Sequence, residues 1–193
     1  TITDVSDTLA GLSLQGPTSC AVLKKMGLDG IELLKPFGIT HFPFDGETLR
    51  VTRTGFTGDL GYELWIPRER ALDLWDTLYA AGRDYGIQPY GEAATNMARM
   101  EAGFIMPYVD FTEALKTVHF EHDQTPFELQ LGWLVDFDKP VFNGRLALLE
   151  EQRRGSRYRF ALLDVDGNKP ASHSFILQHG RVVGTVTSAA WCP

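Results

Sequence analysis

The sequence predicts an α+β protein, because short extended runs and amphipathic helical segments are mixed irregularly along it. Residues 49–53 and 62–66 are two extended runs on either side of a glycine-rich connection, which is typical of a hairpin. Over residues 70–85, apolar side chains recur at helical spacing and stop before Gly86. Beyond a charged segment, further short strands are predicted at residues 158–165, 174–178 and 182–187, with a hairpin turn at His179 and Gly180.

The composition is that of a soluble globular protein with enough chain for a core: 193 residues, 44% apolar and 22% charged. A net charge of −7 argues against nucleic-acid binding, which needs clustered Lys and Arg. Cys20 and Cys192 lie far apart without metal-ligand spacing, so we expect reduced thiols in a cytoplasmic protein. No apolar run is long enough to cross a bilayer, and no membrane association is expected.

Two strands and a helix are predicted before the hairpin. The apolar positions of residues 9–15 predict a strand, and Gly16 and Pro17 then open a helix that runs through Met26. Residues 39–44 predict a second strand that leads into the hairpin.

Two helices are predicted after the hairpin. In the helix over residues 70–85, Trp75 and Tyr79 are interpreted as core side chains rather than as a ligand cage. The next helix covers residues 91–103, where Thr95 and Arg99 lie one turn apart on the same face.

The second strand of the hairpin holds the candidate binding residues. Tyr62, Leu64 and Ile66 point to one face of the strand, whereas Glu63 and Trp65 point to the other. A carboxylate beside an indole could accept paired N–H donors from a flat heterocycle while the indole covers an apolar part of it. The alternative interpretation is an ordinary solvated strand glutamate.

The glycine-rich stretch at residues 53–63, RTGFTGDLGYE, resembles the signature R-x-G-[YF]-T-G-[ED]-x-G-[YF]-E of the glycine-cleavage T-protein, or aminomethyltransferase, family. Five further stretches resemble motifs of that family, in its order: residues 14–17, 96–103, 125–135, 142–148 and 184–193. The resemblance implies the aminomethyltransferase folate-binding fold, built from ferredoxin-like and Greek-key sheets with helices. We expect this domain, without its N-terminal part, over residues 1–152, and the start of a truncated C-terminal β-barrel domain over residues 157–193. The charged residues 150–157, which contain Gly155, are interpreted as the linker at this boundary.

The resemblance also implies a folate site. In the family, the glutamate in the position of Glu63 contacts the folate, so tetrahydrofolate is the expected cofactor. The candidate cofactor-binding residues are Glu63, Trp65, Tyr62, Arg99 and Thr95. The expected partners are a small-molecule one-carbon donor and, for a true T-protein, a lipoyl-carrier protein.

Two departures from the family pattern bear on the substrate. Thr95 stands where the family has a ligand-binding arginine, which removes a charge-assisted hydrogen bond worth about 1.5 to 3 kcal/mol. Arg99 is one turn away and is a candidate to compensate. The family's closing L-Y-G appears as Met106, Pro107 and Tyr108, so its aromatic residue is displaced. Both departures favour a paralogue, such as a demethylase of an N-, O- or S-methyl compound, over a true T-protein.

No catalytic residue and no metal ligand are assigned. The catalytic aspartate of the family belongs to an N-terminal part that this chain lacks, so the fragment by itself is expected to be inactive. His119, Glu121, His122 and Asp123 could in principle bind a metal, but their spacing is irregular and the family uses none, so no metal site is predicted.

Two alternatives to a transferase stay open. One is a folate-binding protein without transfer activity, like the iron–sulfur maturation relatives of the family, which carry a cysteine in a K-G-C-Y-x-G-Q-E form of the signature. Residues 54–59 contain no cysteine, which disfavours that reading. Such a folate-binding protein would have a regulatory or assembly role. The other alternative is a fold that survives as an interaction module with a degraded pocket.

Overall fold

The computed structural model describes residues 2–112, 123–167 and 171–191. Contacts between Cα atoms divide the chain into two compact units, Thr1–Phe104 and Ile105–Pro193. The predicted boundary, between residues 152 and 157, stays a prediction.

A four-stranded antiparallel sheet organises the first unit. Its strands are β1 (Leu9–Gln15), β2 (Ile39–Phe44), β3 (Glu47–Thr52) and β4 (Gly61–Pro67), and they lie in the order β1-β4-β3-β2. The chain can reverse tightly between β2 and β3 because Asp45 and Gly46 both have positive φ, as a two-residue hairpin turn requires. The four strands predicted for this unit are confirmed, and the register places both Ser13 and Thr52 opposite Glu63.

Helices α1 (Ser19–Lys25) and α2 (Ala71–Gly82) contribute apolar side chains to a core on one face of this sheet, and α3 (Glu92–Glu101) follows. The predicted helices are confirmed within a few residues. The core side of the sheet and helices consists of Leu14, Val22, Leu23, Leu28, Ile31, Leu49, Val51, Tyr62, Leu64, Ile66, Leu74, Leu78 and Ala81.

The core assignment of Trp75 is wrong. Its side chain is 42% exposed and stacks on Tyr79 with ring centroids 6.2 Å apart. Leu74, Leu78 and Ala81 are the residues of α2 that belong to the core. Successive residues of a helix are rotated by about 100° around its axis, so Trp75 does not share the core-facing side of α2 with Leu74.

In the second unit, helix α4 (Arg145–Arg154) and the hairpin of β5 (Phe175–Gln178) and β6 (Arg181–Thr185) are the regular elements of the described part. The hairpin turn at His179 and Gly180, both with positive φ, is confirmed. Two sequence predictions are wrong. Residues 150–154 belong to α4 rather than to a linker, and residues 158–165 form no strand. Alternation alone does not make a strand, because a strand needs a hydrogen-bonded partner.

Buried carboxylates hold the loops of the second unit. Asp110 accepts hydrogen bonds from the hydroxyls of Thr187 (2.7 Å) and Ser188 (2.5 Å), and from the backbone N–H of Met106 (2.9 Å). The T-S part of the last sequence motif is therefore explained by its contact with Asp110. Elsewhere in this unit, Thr125 and Glu128 exchange side-chain to backbone hydrogen bonds.

No helix within the described residues is long and apolar enough to cross a membrane. His119, Glu121 and His122 of the rejected metal cluster lie outside the described residues. Within the described ranges, no group of His, Cys, Asp and Glu is arranged to hold a metal ion.

Candidate functional site

The outer face of the sheet, defined as the face opposite the core, carries the candidate site. Side chains of directly opposed residues in antiparallel strands share a face, so the register determines which residues meet there. Around Glu63 this face is formed by Gly11, Ser13 and Gln15 of β1, by Arg50 and Thr52 of β3, and by Gly61, Glu63 and Trp65 of β4.

The carboxylate of Glu63 is held at one oxygen. Its Oε2 accepts a hydrogen bond from Thr54 Oγ1 at 2.7 Å and lies 3.2 Å from Thr52 Oγ1. The two threonine hydroxyls are 2.6 Å apart. Two hydroxyls have only two protons for these three contacts, so the two short distances indicate that Thr52 donates to Thr54 and Thr54 donates to Glu63. No hydrogen bond to Oε1 is formed by any group in the described part of the chain.

The side chain of Gln15 fixes the start and the end of the glycine-rich connection. Its Oε1 accepts a hydrogen bond from Thr57 Oγ1 at 3.2 Å, and its Nε2 donates to Ser13 Oγ at 2.9 Å. A Cβ atom at either Gly55 or Gly61 would overlap the Gln15 amide. Two glycines of the signature are therefore explained by the space that this amide occupies.

Gly58, the third glycine, has a different cause. Its φ is +78°, which side chains rarely adopt, and a Cβ atom there would lie 2.5 Å from the Cβ of Ala102, just beyond α3. Next to this contact, the rings of Phe56 and Phe104 stack at 5.5 Å. The connection between β3 and β4 is thus held against the end of α3.

Trp65 supplies an exposed aromatic surface beside the carboxylate. Its side chain is 37% exposed and covers Gly11, where a Cβ atom would lie 2.8 Å from the ring. Along a strand, residues two apart are separated by about 6.8 Å. Glu63 and Trp65 therefore offer a hydrogen-bond acceptor and a stacking surface within the dimensions of one fused heterocycle.

Of the five predicted binding residues, Glu63 and Trp65 share the outer face, and Tyr62 does not. Tyr62 is 1% exposed and lies in the core on the opposite face of β4. Burial, together with the neighbouring Cys20 thiol, raises the pKa of Tyr62 to about 12. We therefore leave Tyr62 out of the site that we propose below.

Arg99 and Thr95 lie on α3 and have partners within the first unit. Arg99 is 3% exposed and donates to the Phe104 carbonyl at 3.2 Å and to Asn96 Oδ1 at 3.4 Å. Thr95 donates its hydroxyl proton to the Gly91 carbonyl at 3.2 Å. A ligand would have to compete with these hydrogen bonds to engage either side chain.

Sequence reasoning missed the residues that hold Glu63. Thr52, Thr54 and Gln15 were not singled out, because polar side chains beside a turn are common. Strand alternation could have found Thr52, since once the hairpin is predicted the register places it opposite Glu63. The position of Thr54, by contrast, depends on the path of an irregular connection.

Comparisons with known proteins identify the family of this chain. The profile of the GCVT N-terminal domain family matches residues 1–139. The aminomethyltransferase of Halothermothrix orenii is 33% identical over 100% of this chain and 52% of its own length, and that of Chlorobium limicola is 34% identical over 98% and 51%. The crystal structure of glycine cleavage system aminomethyltransferase T from Bartonella henselae is similar with a TM-score of 0.61 and 33% identity, over 76% of this chain and 37% of that one.

The chain spans about half the length of the curated relatives that it matches. The family resemblance stated from the motifs is confirmed, and so is the α+β fold class. Members of the family depend on tetrahydrofolate. The chain belongs to the family of the GCVT N-terminal domain, that of the aminomethyltransferases.

Proposed function

We propose that the protein containing this chain is a tetrahydrofolate-dependent one-carbon transferase, and that Glu63 and Trp65 bind the pterin ring. The single observation that supports this most directly is the carboxylate of Glu63, which is fixed at Oε2 by Thr54 and keeps Oε1 for a ligand. A pterin presents adjacent amino and ring N–H donors, which match a carboxylate acceptor.

The residues of the outer face fit the cofactor in chemical character. Glu63 provides the acceptor for N–H donors, and Trp65 provides a partly exposed ring for stacking. When bound, tetrahydrofolate would supply the nitrogen nucleophile that takes up the one-carbon unit. The role of Glu63 and Trp65 would be to bind and orient the cofactor, which lowers the entropic cost of bringing two reactants together.

Two one-carbon donors are candidates. The relatives named above are aminomethyltransferases, which favours an aminomethyl group delivered by a lipoyl-carrier protein. Thr95, in place of the family's arginine, favours a methylated small molecule and hence a demethylase. Adding each donor class to the full-length protein with tetrahydrofolate and measuring the one-carbon folate product distinguishes them.

A folate-binding protein without transfer activity is the second candidate function. It requires the same binding surface, so it is favoured only if tetrahydrofolate binds and neither donor class yields product. In that case a regulatory or assembly role would remain.

The decisive experiment is calorimetric titration of tetrahydrofolate, under anaerobic and reducing conditions, into the full-length protein and its Glu63→Ala variant. We expect saturable binding that the substitution weakens by at least about 2 kcal/mol, roughly 30-fold, because unpaired donors of the ligand would be left in a partly dry site. Glu47→Ala, which removes an exposed glutamate at the start of β3, is the matched control and should bind normally. Absence of binding at millimolar ligand would refute the transferase proposal.

A further inference from the structure

We propose that Thr54 is a positioning residue for Glu63, which acts by donating to Oε2 and so presents Oε1 to the ligand. This inference rests on the proposed function, in which Glu63 binds the cofactor. Thr54 itself is not assigned any contact with the ligand.

The hydrogen-bond geometry singles out Thr54. Its hydroxyl lies 2.7 Å from Glu63 Oε2, whereas that of Thr52 lies 3.2 Å from the same oxygen. The 2.6 Å contact between the two hydroxyls lets Thr52 donate to Thr54. A hydroxyl that accepts one hydrogen bond donates a stronger one, so Thr52 reinforces the bond from Thr54 to the carboxylate.

The backbone around Thr54 is fixed by independent contacts. On its C-terminal side, Gly55 lies against the Gln15 amide, and Gly58 lies against Ala102. On its N-terminal side, Arg53 accepts a hydrogen bond from the Phe37 N–H and donates one to the Gly38 carbonyl, each at 3.0 Å. The Thr54 hydroxyl is therefore held in place by the connection, and the longer Glu63 side chain adjusts to it.

This arrangement has a consequence for binding. A glutamate side chain on a strand face can adopt several rotamers, and freezing them costs binding free energy. With Oε2 already bonded to Thr54, part of that cost is met before the ligand arrives. The site is then preorganised for a ligand that donates to Oε1.

The test is a double-mutant cycle with rescue, in the full-length protein, with tetrahydrofolate as the probe. Thr54→Val keeps the shape and removes the hydroxyl, and we expect the dissociation constant to rise about tenfold. Thr54→Ser restores the donor and is expected to bind within about twofold of wild type. In the Glu63→Ala background, Thr54→Val should change the affinity less than twofold, because the group through which it acts is gone. Thr48→Val, at the far end of β3, is the matched control.

Three outcomes would overturn the inference: normal binding by Thr54→Val, no rescue by Thr54→Ser, or an undiminished effect of Thr54→Val without Glu63. If Thr54→Val misfolds, it loses the spectroscopic signal of the folded state, whereas Thr54→Ser keeps it. In that case the tetrahydrofolate affinities of Thr54→Ser and Thr54→Ala are compared instead.

A readout without ligand separates this inference from the proposed function. The ¹³C resonance of the Glu63 carboxyl carbon, assigned by its absence in Glu63→Ala, is expected to move in Thr54→Val and to return in Thr54→Ser. If Glu63→Ala does not weaken tetrahydrofolate binding, the proposed cofactor contact fails, and this resonance alone decides whether Thr54 positions the carboxylate. A resonance that does not move overturns the inference.

Discussion

The indole of Trp65 lies directly over Gly11 of the neighbouring strand, so close that a Cβ atom at Gly11 would come within 2.8 Å of the ring. The two residues are paired in register across β1 and β4. A glycine opposite a tryptophan allows the large ring to lie flat along the sheet instead of standing away from it. The stacking surface beside Glu63 therefore depends on an absent side chain one strand away.

Gly11→Ala is expected to displace this ring. Overpacking against the indole should lower the free energy of unfolding by about 1–3 kcal/mol, measured by urea denaturation. In a Trp65→Ala background the same substitution should cost much less, because the ring is no longer there. Gly167→Ala, at an open position, serves as the control and should change stability by less than about 0.5 kcal/mol. Equal losses with and without Trp65 would contradict this explanation.

Gly58→Ala is expected to destabilise the chain through both its backbone and its packing. A matched comparison is available in Gly46, which has a similar φ of +83° but has nothing within 4 Å of a Cβ atom. Gly46→Ala thus reports backbone strain alone. We expect Gly58→Ala to cost about 1–3 kcal/mol more than Gly46→Ala in the free energy of unfolding, because Ala102 Cβ would lie 2.5 Å away. The excess should disappear in an Ala102→Gly background, and its persistence there would disprove the contact.

The buried Tyr62 is expected to make the protein less stable at alkaline pH. Its pKa is raised from 10.0 to about 12, chiefly by burial, so the folded state keeps the proton more tightly than the unfolded state. The resulting stabilisation is fully present below pH 10 and is lost as pH rises through 12. Tyr62→Phe should lose less stability over this interval than wild type, as measured by urea denaturation at successive pH values. Tyr90→Phe, at an exposed tyrosine, should follow the wild-type curve. Parallel curves for Tyr62→Phe and wild type would count against this prediction.

Thr95→Arg tests whether the site retains the family's anion-binding character. Restoring a guanidinium should strengthen tetrahydrofolate binding by about 1.5 to 3 kcal/mol if the pocket is otherwise that of the family. Thr95→Gln, which is long and neutral, controls for size and for loss of the hydrogen bond to Gly91. If calorimetry shows no gain in affinity for Thr95→Arg over Thr95→Gln, the ligand carries no negative charge beside residue 95. That result would agree with a changed one-carbon donor.

Much of the first unit could be predicted from the sequence because its signals are local. Alternation in residues 62–66 separated the core side chains from Glu63 and Trp65, and the glycines and Pro17 marked the ends of elements. Local signals were less reliable where burial or strand formation depends on another element of the chain. Trp75 fits a helical pattern but lies outside the core, and residues 158–165 alternate without forming a strand.

By itself, the sequence determined the family, the fold class and the acidic residue of the candidate site, since these depend on periodicity and on motif identity. Only the tertiary structure decided how that residue is held. The hydrogen bond from Thr54 to Glu63, the Gln15 amide between two glycines, and the indole over Gly11 all join residues from different strands or from an irregular connection. Such contacts are set by the register and by the path of the chain in space, which neither composition nor spacing along the sequence specifies.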